Sequence, residues 1–362
     1  MSLAKSVSGH DSSSFHFGPN SAPWDLSANF SNQDGEDAVA SKLADLCDKY
    51  AVTYVFATGD KAYLLERAKI PYSYWSYGSD LDQLCFPRLP SWRGSLNQWK
   101  FFVYCLLYKG AARCSICLSE QVMIAPYQLN SLDQVCENKR LFFLPHLIQA
   151  EDFETVLTAK KAAQQELQAR YHTDNIFFSS VRHYWQGTRS AWSDNKGNDK
   201  VIRAFALYLN QCNPNNARLL LVDKGPDVLE SKRLAVSLGI DRWITWLPEM
   251  KRSKLQSYLS GATACLGQFG TPVLTYAQLE PLAWATPCIS FYGKTDSSIP
   301  FYKNLPPIIN VNTVEDICAA MSSISTSGEV ASELSKHGWE WVNENCSEEV
   351  FAASFAEQIS GL

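Results

Sequence analysis

Two successive series of short apolar segments, each alternating with amphipathic segments of helical length, dominate this sequence. The apolar segments are rich in β-branched and aromatic side chains, which is typical of buried strands, and the longer segments have the spacing of helices with one apolar face. Because strands that alternate with helices form parallel sheets covered on both faces, the pattern predicts an α/β protein. Two series predict two Rossmann-like domains that face one another. Since ligands of such sheets bind beyond the carboxyl ends of the strands, a site is expected in the cleft between them.

The chain of 362 residues is long enough for two domains. We predict an irregular N-terminal segment at 1–34, which is rich in Ser, Asn, Gly and Pro. A first Rossmann-like domain is predicted at 35–170 and a second at 171–345. The remaining residues, 346–362, are predicted to form a helix that crosses back to the first domain.

The elements of both series can be placed along the chain. The predicted strands lie at 53–58, 72–77, 114–119, 140–145, 175–180, 218–222, 243–247, 264–269, 288–292 and 307–311. The predicted helices lie at 36–50, 61–68, 96–108, 151–170, 199–211, 227–238, 251–260, 276–285, 313–323 and 329–360. Four of these strands precede residue 150.

Charge and hydropathy disfavour two classes of protein. The net charge of −5 argues against a nucleic-acid protein that depends on neutralising phosphates. The longest unbroken apolar run, 101–108, is far shorter than the roughly 20 residues of a membrane-spanning helix, and no secretory signal is visible at the start of the sequence. The helix that contains this run is either part of the core or a weak contact with a membrane surface. No strongly basic amphipathic helix stands out.

The 11 cysteines are scattered along the chain. Only Cys114 and Cys117 form a C-x-x-C pair, and neither a second pair nor a nearby histidine accompanies them, so no metal site is predicted. Buried thiols are the favoured interpretation, with a redox role as the alternative. Buried thiols indicate a reduced, cytoplasmic location.

The phosphate-binding and nucleophile motifs of the commonest α/β enzymes are absent. The sequence contains no G-x-G-x-x-G, no G-x-x-x-x-G-K-[ST] and no G-x-S-x-G. These absences argue against a nicotinamide-dependent dehydrogenase, a P-loop nucleotidase and an α/β-hydrolase. Polar residues cluster instead in the loops that follow the strands of the second series.

Four segments of the second series resemble, in order and spacing, the donor-binding domain of family 4 of the GT-B-fold glycosyltransferases. They are KGNDKVIRAFALYL at 196–209, LLLVDKGPD at 219–227, LAVSLGIDRWITWLPEMKRSKLQSYLSGATACLGQFG at 234–270 and LEPLAWATPCI at 279–289. The last segment corresponds to the E-A-M-A-x-G-x-P-V segment of the family. A shorter and weaker match, KIPYSYWSYGSDL at 69–81, lies in the first series.

The resemblance implies a GT-B glycosyltransferase that transfers a sugar from a nucleotide-diphosphate-sugar donor. It implies a UDP-type or GDP-type donor, a hydroxyl of a carbohydrate or lipid-linked acceptor, and retention of the anomeric configuration. It implies no metal and no other cofactor, because a cationic pair holds the leaving diphosphate. Many relatives act at membranes, so the inner face of a membrane is included in the predicted cytoplasmic location.

The same match implies the donor site. Glu280 corresponds to the glutamate that accepts hydrogen bonds from the ribose hydroxyls, a role that suits an acceptor-only carboxylate. The helix start just before it would present backbone N–H groups to the diphosphate. Lys196 matches the lysine of the family's KG pair, and Arg182 its strand-end arginine, with Arg189 as a competitor. The predicted donor-site residues are Arg182, Lys196, Gln268, Leu274, Thr275, Tyr276 and Glu280.

Three residues are candidates for catalysis: Tyr77, Asp80 and His183. Tyr77, in YGSD, stands where the family frequently has a histidine, and His183 follows the strand-end arginine. Each also has a structural interpretation, in which Tyr77 is a core residue, Asp80 caps a helix and His183 is a packing residue. Trp185 and Trp192 are either core residues or a platform for the sugar.

Two departures from the family pattern keep other functions open. Pro272 occupies the position of a second glutamate that the family often has, and the glycine-rich loop after the first strand is not recognisable. Either residues 1–34 replace this loop or the acceptor domain is reduced. A catalytically weak nucleotide-sugar-binding or scaffold protein is therefore one alternative, and a nucleotide-sugar epimerase of the same fold is another.

Overall fold

The computed structural model describes residues 35–52, 55–57, 62–76, 144–186, 195–211, 216–293 and 304–360, with Tyr302 and isolated residues and short strands between 81 and 142. The chain divides into two compact units. Of the described residues, the first unit contains those before Pro145 and those from Ala352 onward, and the second contains the remainder, up to Phe351.

The first unit contains a four-stranded parallel sheet of order β1-β2-β3-β4. The strands are β1 Phe56–Ala57, β2 Ser73–Trp75, β3 Gln121–Met123 and β4 Arg140–Phe142, and two helices, α1 Glu36–Lys49 and α2 Tyr63–Arg67, belong to this unit. The sequence did not indicate β3. The predicted strand at 114–119 and most of the predicted helix at 96–108 lie outside the described residues.

Helix α3, Phe153–Tyr171, belongs to the second unit, although the sequence placed it at the end of the first. It lies directly against helix α6, Arg252–Gly261. A Cβ at Gly261 would stand 2.7 Å from the Cδ1 of Leu167 and 2.8 Å from the carbonyl oxygen of Ala163, so the two backbones approach closely at this glycine. The division of the chain thus differs from the predicted boundary after residue 170, because the packing partner of a helix cannot be read from its own sequence.

The second unit contains a six-stranded parallel sheet of order β10-β9-β8-β5-β6-β7. Its strands are β5 Asn175–Ser179, β6 Ala217–Val222, β7 Ile244–Leu247, β8 Ala264–Leu266, β9 Cys288–Ser290 and β10 Ile309–Asn310. The order reverses between β5 and β8, which are neighbours in the sheet but not in sequence. This is the doubly wound order of Rossmann folds, with its topological switch point between β5 and β8.

The strands of this sheet are apolar on both faces because helices cover both. Phe177, Leu219 and Leu221 belong to one buried cluster and Phe178 and Leu220 to another, as the alternation of side chains along a strand requires. The flanking helices are α3 and α6 with α4 Asn198–Gln211, α5 Val228–Ser237, α7 Tyr276–Ala283, α8 Val314–Thr326 and α9 Gly328–Cys346.

The helical stretch predicted at 329–360 forms two helices, and the second of them lies within the predicted final helix at 346–362. Helix α9 ends at Cys346, and α10 runs over Glu348–Ser360. Ser347 between them is extended, with φ −65° and ψ 164°, and its Oγ accepts a hydrogen bond from the Val350 N–H at 3.3 Å. Ser347 therefore ends one helix and caps the next. The apolar periodicity of the sequence continues across it, so the sequence alone does not show the break. Among the helices of the described residues, none is both long and apolar enough to cross a bilayer.

Candidate functional site

The switch point of the second sheet is the geometric starting point for a site. All six strands are parallel, so their carboxyl ends lie along one edge. Ligands of doubly wound sheets bind at this edge, next to the switch point. The chain that follows β5 carries Arg182, His183 and Lys196, and the chain that follows β8 carries Gln268. The structure thus places four of the predicted site residues in the two loops that flank the switch point.

Lys196 and Gln268 join these two loops. The Nζ of Lys196 donates to the Oε1 of Gln268 at 3.2 Å, and the backbone N–H of Phe269 donates to the carbonyl of Lys196 at 2.9 Å. The buried amide of Gln268 is oriented by its Nε2, which donates to the carbonyls of Val273 at 2.8 Å and Thr271 at 3.3 Å. The ammonium group is therefore held at the carboxyl edge of the sheet by a side chain that cannot rotate freely.

Gly197 allows the two loops to approach so closely. Its φ is +66°, in the left-handed region that favours glycine. A Cβ at this position would stand 2.7 Å from the carbonyl carbon of Phe269 and 2.8 Å from the backbone nitrogen of Gly270. A glycine is therefore required after Lys196 for steric reasons. This requirement is separate from the chemical role that the resemblance implies for the lysine.

Helix α7 begins where the sequence predicted, at Tyr276, and its first turn is firmly fixed. Thr275 and Gln278 form a capping box, in which the backbone N–H of Thr275 donates to the Oε1 of Gln278 at 2.5 Å. The Nε2 of the buried Gln278 also donates to the carbonyl of Phe291, just after β9, at 3.0 Å. Leu274 is half-buried against an apolar cluster, and Tyr276 is 44% exposed. The T-x-x-Q spacing of Thr275 and Gln278 is a sign of this cap in the sequence itself.

Glu280 lies one turn into α7 and is not a capping residue. Its side chain is 19% exposed, and its carboxylate lies 3.2 Å from a guanidinium nitrogen of Arg252, the first residue of α6. Burial raises the pKa of Glu280 above its usual 4.5, and the charge of Arg252 partly offsets this rise. Both side chains line a cavity of about 120 Å³ between α6, α7 and the chain that leads into α3. Arg252 was missed by the sequence analysis, because nothing in KRSKL marks the residue that meets Glu280.

Arg182 and His183 are adjacent in sequence but differ in environment. Arg182 is exposed, with its guanidinium carbon 5.8 Å from the centre of the Tyr184 ring. His183 is 1% exposed, its Nδ1 lies 2.8 Å from the Oγ of Ser231, and its Nε2 is buried with no hydrogen-bond partner in the described structure. Burial lowers the pKa of His183 to about 4. The imidazole is thus a neutral, enclosed group near the edge of the sheet.

The turn between β6 and α5 is hydrogen-bonded to the loop after β5. The N–H of His183 donates to the carbonyl of Lys224 at 2.6 Å, and Asp227 accepts hydrogen bonds from the N–H groups of Trp185 and Gln186, both at 2.7 Å. Gly225 has φ +118°, and a Cβ there would collide with the backbone of His183. The indole N–H of Trp185 donates to Ser231 at 2.7 Å. The VDKGPD segment therefore shapes the loop that carries Arg182.

His146 and Tyr302 lie next to Tyr276, at the start of α7. The Nδ1 of His146 lies 2.7 Å from the hydroxyl of Tyr302, and the His146 ring stands edge-on to Tyr276 with the ring centres 4.9 Å apart. Burial lowers the pKa of His146 to about 4. The contact could not be predicted from the sequence, because Tyr302 lies 156 residues after His146 along the chain.

Several predicted residues cannot be placed. Tyr77 and Asp80, the two catalytic candidates of the first unit, lie outside the described residues, as do Arg189, Trp192 and the Cys114–Cys117 pair. Within the part of the chain that the structure describes, no three His, Cys, Asp or Glu side chains are grouped to hold a metal ion.

No protein-family model matches this sequence, and no curated protein matches it. Solved structures do match over most of the chain. Anabaena Alr3699/HepE in complex with UDP and glucose superposes with a TM-score of 0.60 at 12% identity, covering 90% of this chain and 82% of that chain. The sucrose-phosphate synthase of Thermosynechococcus elongatus matches with a TM-score of 0.59 at 14% identity, covering 90% and 77%.

An α,α-trehalose-phosphate synthase (UDP-forming) from Burkholderia xenovorans, in complex with glucose-6-phosphate, matches with a TM-score of 0.57 at 12% identity, covering 90% of this chain and 77% of that chain. The fold is GT-B. The predicted fold class, α/β with parallel sheets and the GT-B fold, is confirmed. Identities this low show a shared fold and not a shared substrate. Membership of family 4 stays a prediction.

Proposed function

We propose that this GT-B protein is a glycosyltransferase that transfers a sugar from a nucleotide-diphosphate-sugar donor to an acceptor hydroxyl. The observation that carries the proposal is the contact between Lys196 and Gln268 at the switch point of the second sheet. It holds a cation where ligands of this fold class bind. The names of two matching structures add weight, since one contains UDP and glucose and another is described as UDP-forming.

In this proposal Lys196 binds the donor diphosphate. Its ammonium group has a neutral amide oxygen as a neighbour, and a phosphate oxygen is a stronger partner for it. The N–H groups at the start of α7, ordered by Thr275 and Gln278, provide the second contact for the diphosphate. The exposed guanidinium of Arg182 is the third. Positive groups that hold the diphosphate also stabilise the charge that develops on it as the sugar leaves.

Glu280 binds the ribose in this proposal. The Glu280 side chain is 19% exposed, a carboxylate can accept hydrogen bonds from both ribose hydroxyls, and Arg252 favours its ionised form. We leave His183 out of the chemistry and assign it a structural role, because its ring is buried against Ser231 and Trp246. Tyr77 and Asp80 stay candidates for catalysis on the basis of the YGSD resemblance.

Several finer parts of the proposal come from the resemblance to family 4. They are a UDP-type or GDP-type donor, a carbohydrate or lipid-linked acceptor, retention of configuration, and a reaction without a metal cofactor. A cytoplasmic location belongs to the same group of predictions. Since Lys196 and the start of α7 supply positive groups for the diphosphate, the described residues are consistent with metal-independent chemistry.

The test is release of nucleoside diphosphate from a panel of UDP-sugars and GDP-sugars, with and without simple sugar and lipid-linked acceptors. The proposal predicts release that depends on an acceptor and that falls at least about tenfold in Lys196→Gln, whereas Lys161→Gln, at an exposed position of α3, leaves it unchanged. Donor binding without turnover would instead indicate a nucleotide-sugar-binding or scaffold protein. Conversion of the donor sugar without an acceptor would indicate an epimerase.

A further inference from the structure

Three aromatic side chains from different parts of the second unit meet at the first turn of α7. Tyr276 is the first residue of this helix, His146 belongs to the chain that leads into α3, and Tyr302 lies between β9 and β10. The ring of His146 contacts both tyrosines, with its centre 4.9 Å from that of Tyr276 and 6.3 Å from that of Tyr302. The proposed function uses neither His146 nor Tyr302.

The hydrogen bonds at Tyr302 determine which nitrogen of His146 carries the ring proton. The backbone N–H of His146 donates to the hydroxyl oxygen of Tyr302 at 3.0 Å, and Nδ1 of the same residue lies 2.7 Å from this oxygen. Since the oxygen already accepts from the backbone, its own proton is directed at Nδ1, and the ring proton is on Nε2. Burial lowers the pKa of His146 to about 4, so the neutral ring that accepts this bond is the form present at neutral pH.

Tyr302 is held in turn by the last turns of α9. Its ring centre lies 4.9 Å from that of Trp341, and its hydroxyl lies 3.8 Å from the Sγ of Cys346. Both partners are buried. The carbonyl of Cys346 also accepts a hydrogen bond from the N–H of Ile148 at 2.9 Å. The chain at 146–148 is therefore fixed to a packed part of the second unit.

The same short segment holds the side chain of Tyr276. This side chain is 44% exposed, yet burial raises the pKa of its phenol, and the backbone N–H of Leu147 partly offsets the rise. The enclosed part is therefore the hydroxyl end, beside Leu147, while the ring stands edge-on to His146. A side chain held at both places restricts the backbone of the first residue of α7, where N–H groups point out of the helix.

We propose that Tyr302 and His146 are positioning residues for the donor site. The inference rests on the proposed function, in which the N–H groups at the start of α7 bind the donor diphosphate. Neither side chain touches the donor, because Tyr302 acts through His146, and His146 acts through Tyr276. The capping box orders the hydrogen bonds within the first turn, and these aromatic contacts fix the direction in which that turn points. A binding site depends on such supporting contacts for its geometry.

Tyr302→Phe removes only the hydroxyl group and is the test variant. Its matched control is Tyr208→Phe, because Tyr208 is also buried, at 2% exposed, and its hydroxyl donates to the Oγ of Ser325 on α8 at 3.1 Å. Each variant loses one buried phenol hydrogen bond, so both should lower the melting temperature by similar amounts. A difference between them at the start of α7 is therefore not a general loss of stability.

Hydrogen–deuterium exchange of the ligand-free protein reports on the first turn of α7. The N–H groups of Gln278 and Leu279 donate to the carbonyl of Thr275 at 3.0 and 3.2 Å. These amides should exchange about three- to tenfold faster in Tyr302→Phe than in the wild type. In Tyr208→Phe their exchange should be unchanged.

Calorimetric titration with UDP and with GDP reports on the donor site itself. The nucleotide that binds the wild type should bind Tyr302→Phe about three- to tenfold more weakly, and Tyr208→Phe with unchanged affinity. His146→Leu should weaken binding as Tyr302→Phe does. The double variant should bind no more weakly than the weaker single variant, because the second change removes a contact that the first has already broken. Additive losses would overturn the order of contacts from Tyr302 through His146.

The outcomes distinguish this inference from the proposed function. If the wild type binds UDP or GDP and Tyr302→Phe matches Tyr208→Phe in affinity, the positioning role is overturned and the proposed function stands. A wild type that binds neither nucleotide would overturn the proposed function and the positioning role with it.

Discussion

The ammonium group of Lys196 lies 3.2 Å from the amide oxygen of Gln268, and this hydrogen bond spans the switch point of the second sheet. The loop after β5 and the loop after β8 are joined by this contact and by the hydrogen bond from the Phe269 N–H to the Lys196 carbonyl. Because Gln268 is buried and its amide is held by Val273, the lysine is positioned before any ligand arrives. Such preorganisation is what a diphosphate site requires.

The first prediction concerns the charge of Lys196. In Lys196→Gln the affinity for nucleoside diphosphates should fall about ten- to hundred-fold, because a hydrogen bond to a charged group is worth about 1.5–3 kcal/mol. Calorimetric titration measures this change. Lys161→Gln, at an exposed position on α3, is the control and should bind as the wild type does. Equal affinities in all three proteins would contradict the role of Lys196.

The second prediction concerns the ionisation of Glu280. Burial raises the pKa of this carboxyl. On acidification, the ionised carboxylate that accepts hydrogen bonds is therefore lost at a higher pH than in an ordinary glutamate. Donor affinity should therefore begin to fall while the pH is still above 4.5, the usual value. Titrations of the wild type and Glu280→Gln over this range measure the effect. The variant should bind weakly and without this pH dependence.

A control for Glu280→Gln is Glu166→Gln. Glu166 also forms an ion pair, with Arg170 at 2.8 Å. It lies on α3, a helix that carries none of the predicted site residues. This variant should retain both the affinity and the pH dependence of the wild type. If the two variants behaved alike, Glu280 would be an ordinary ion-paired residue and not the ribose ligand.

The third prediction separates backbone strain from collision at the lysine–glycine pair. Gly197 and Gly239 have nearly the same φ, +66° and +69°, but a Cβ at Gly239 would meet nothing within 4 Å. Gly239→Ala should cost about 1–2 kcal/mol of unfolding free energy from left-handed strain alone. Gly197→Ala should cost more, because its Cβ also meets the backbone of Phe269, and it should displace Lys196. Urea unfolding and nucleotide titration of both variants measure the two effects, and equal costs with intact binding would contradict the close approach.

The fourth prediction concerns His183 and the stability of the fold at acidic pH. Its pKa is lowered from 6.5 to about 4, so the unfolded chain binds a proton in this window and the folded chain does not. The contribution of His183 to stability is therefore complete above pH 6.5 and is lost as the pH falls towards 4. The loss should be about 3 kcal/mol.

Urea unfolding at a series of pH values measures this dependence. His183→Gln removes the titrating group and should flatten the wild-type slope between pH 6.5 and 4, although it also lowers stability at neutral pH by disturbing the contact with Ser231. His146, whose pKa is also lowered to about 4, adds a second loss of the same sign. An unchanged slope in His183→Gln would show that the ring is not enclosed in solution.

Much of the fold of the second unit was predictable because its strands are buried on both faces. In segments such as NIFFSS and RLLLV, polar residues do not alternate with apolar ones, which is typical of strands buried on both faces. The structure places β5 and β6 within one residue of their predicted bounds. The first unit was less predictable. Strand β3 begins with a glutamine and is only three residues long, so it lacks the apolar run that marks the other strands.

Residues of the candidate site could be proposed from the sequence only where the chemistry of a residue and its local spacing indicate the same role. Lys196 and Glu280 stand in local segments with a clear family resemblance, and the start of α7 carries a capping pattern in its own sequence. Arg252 and Tyr302 could not be predicted, because each is brought to the site by packing between segments that are distant in sequence. The environment of His183 likewise depends on Ser231, on a different helix.

The measurement that tests the central claim most directly is a thermal-shift screen of the full chain with UDP, GDP, ADP, CMP and their common sugar conjugates. A ligand at about 100 times its dissociation constant adds roughly 2.7 kcal/mol of stability. The account predicts that one nucleotide and its sugar conjugates raise the melting temperature of the wild type and of Glu166→Gln, and that Lys196→Gln and Glu280→Gln lose most of this shift. A folded wild-type protein whose melting temperature no nucleotide changes would contradict the account.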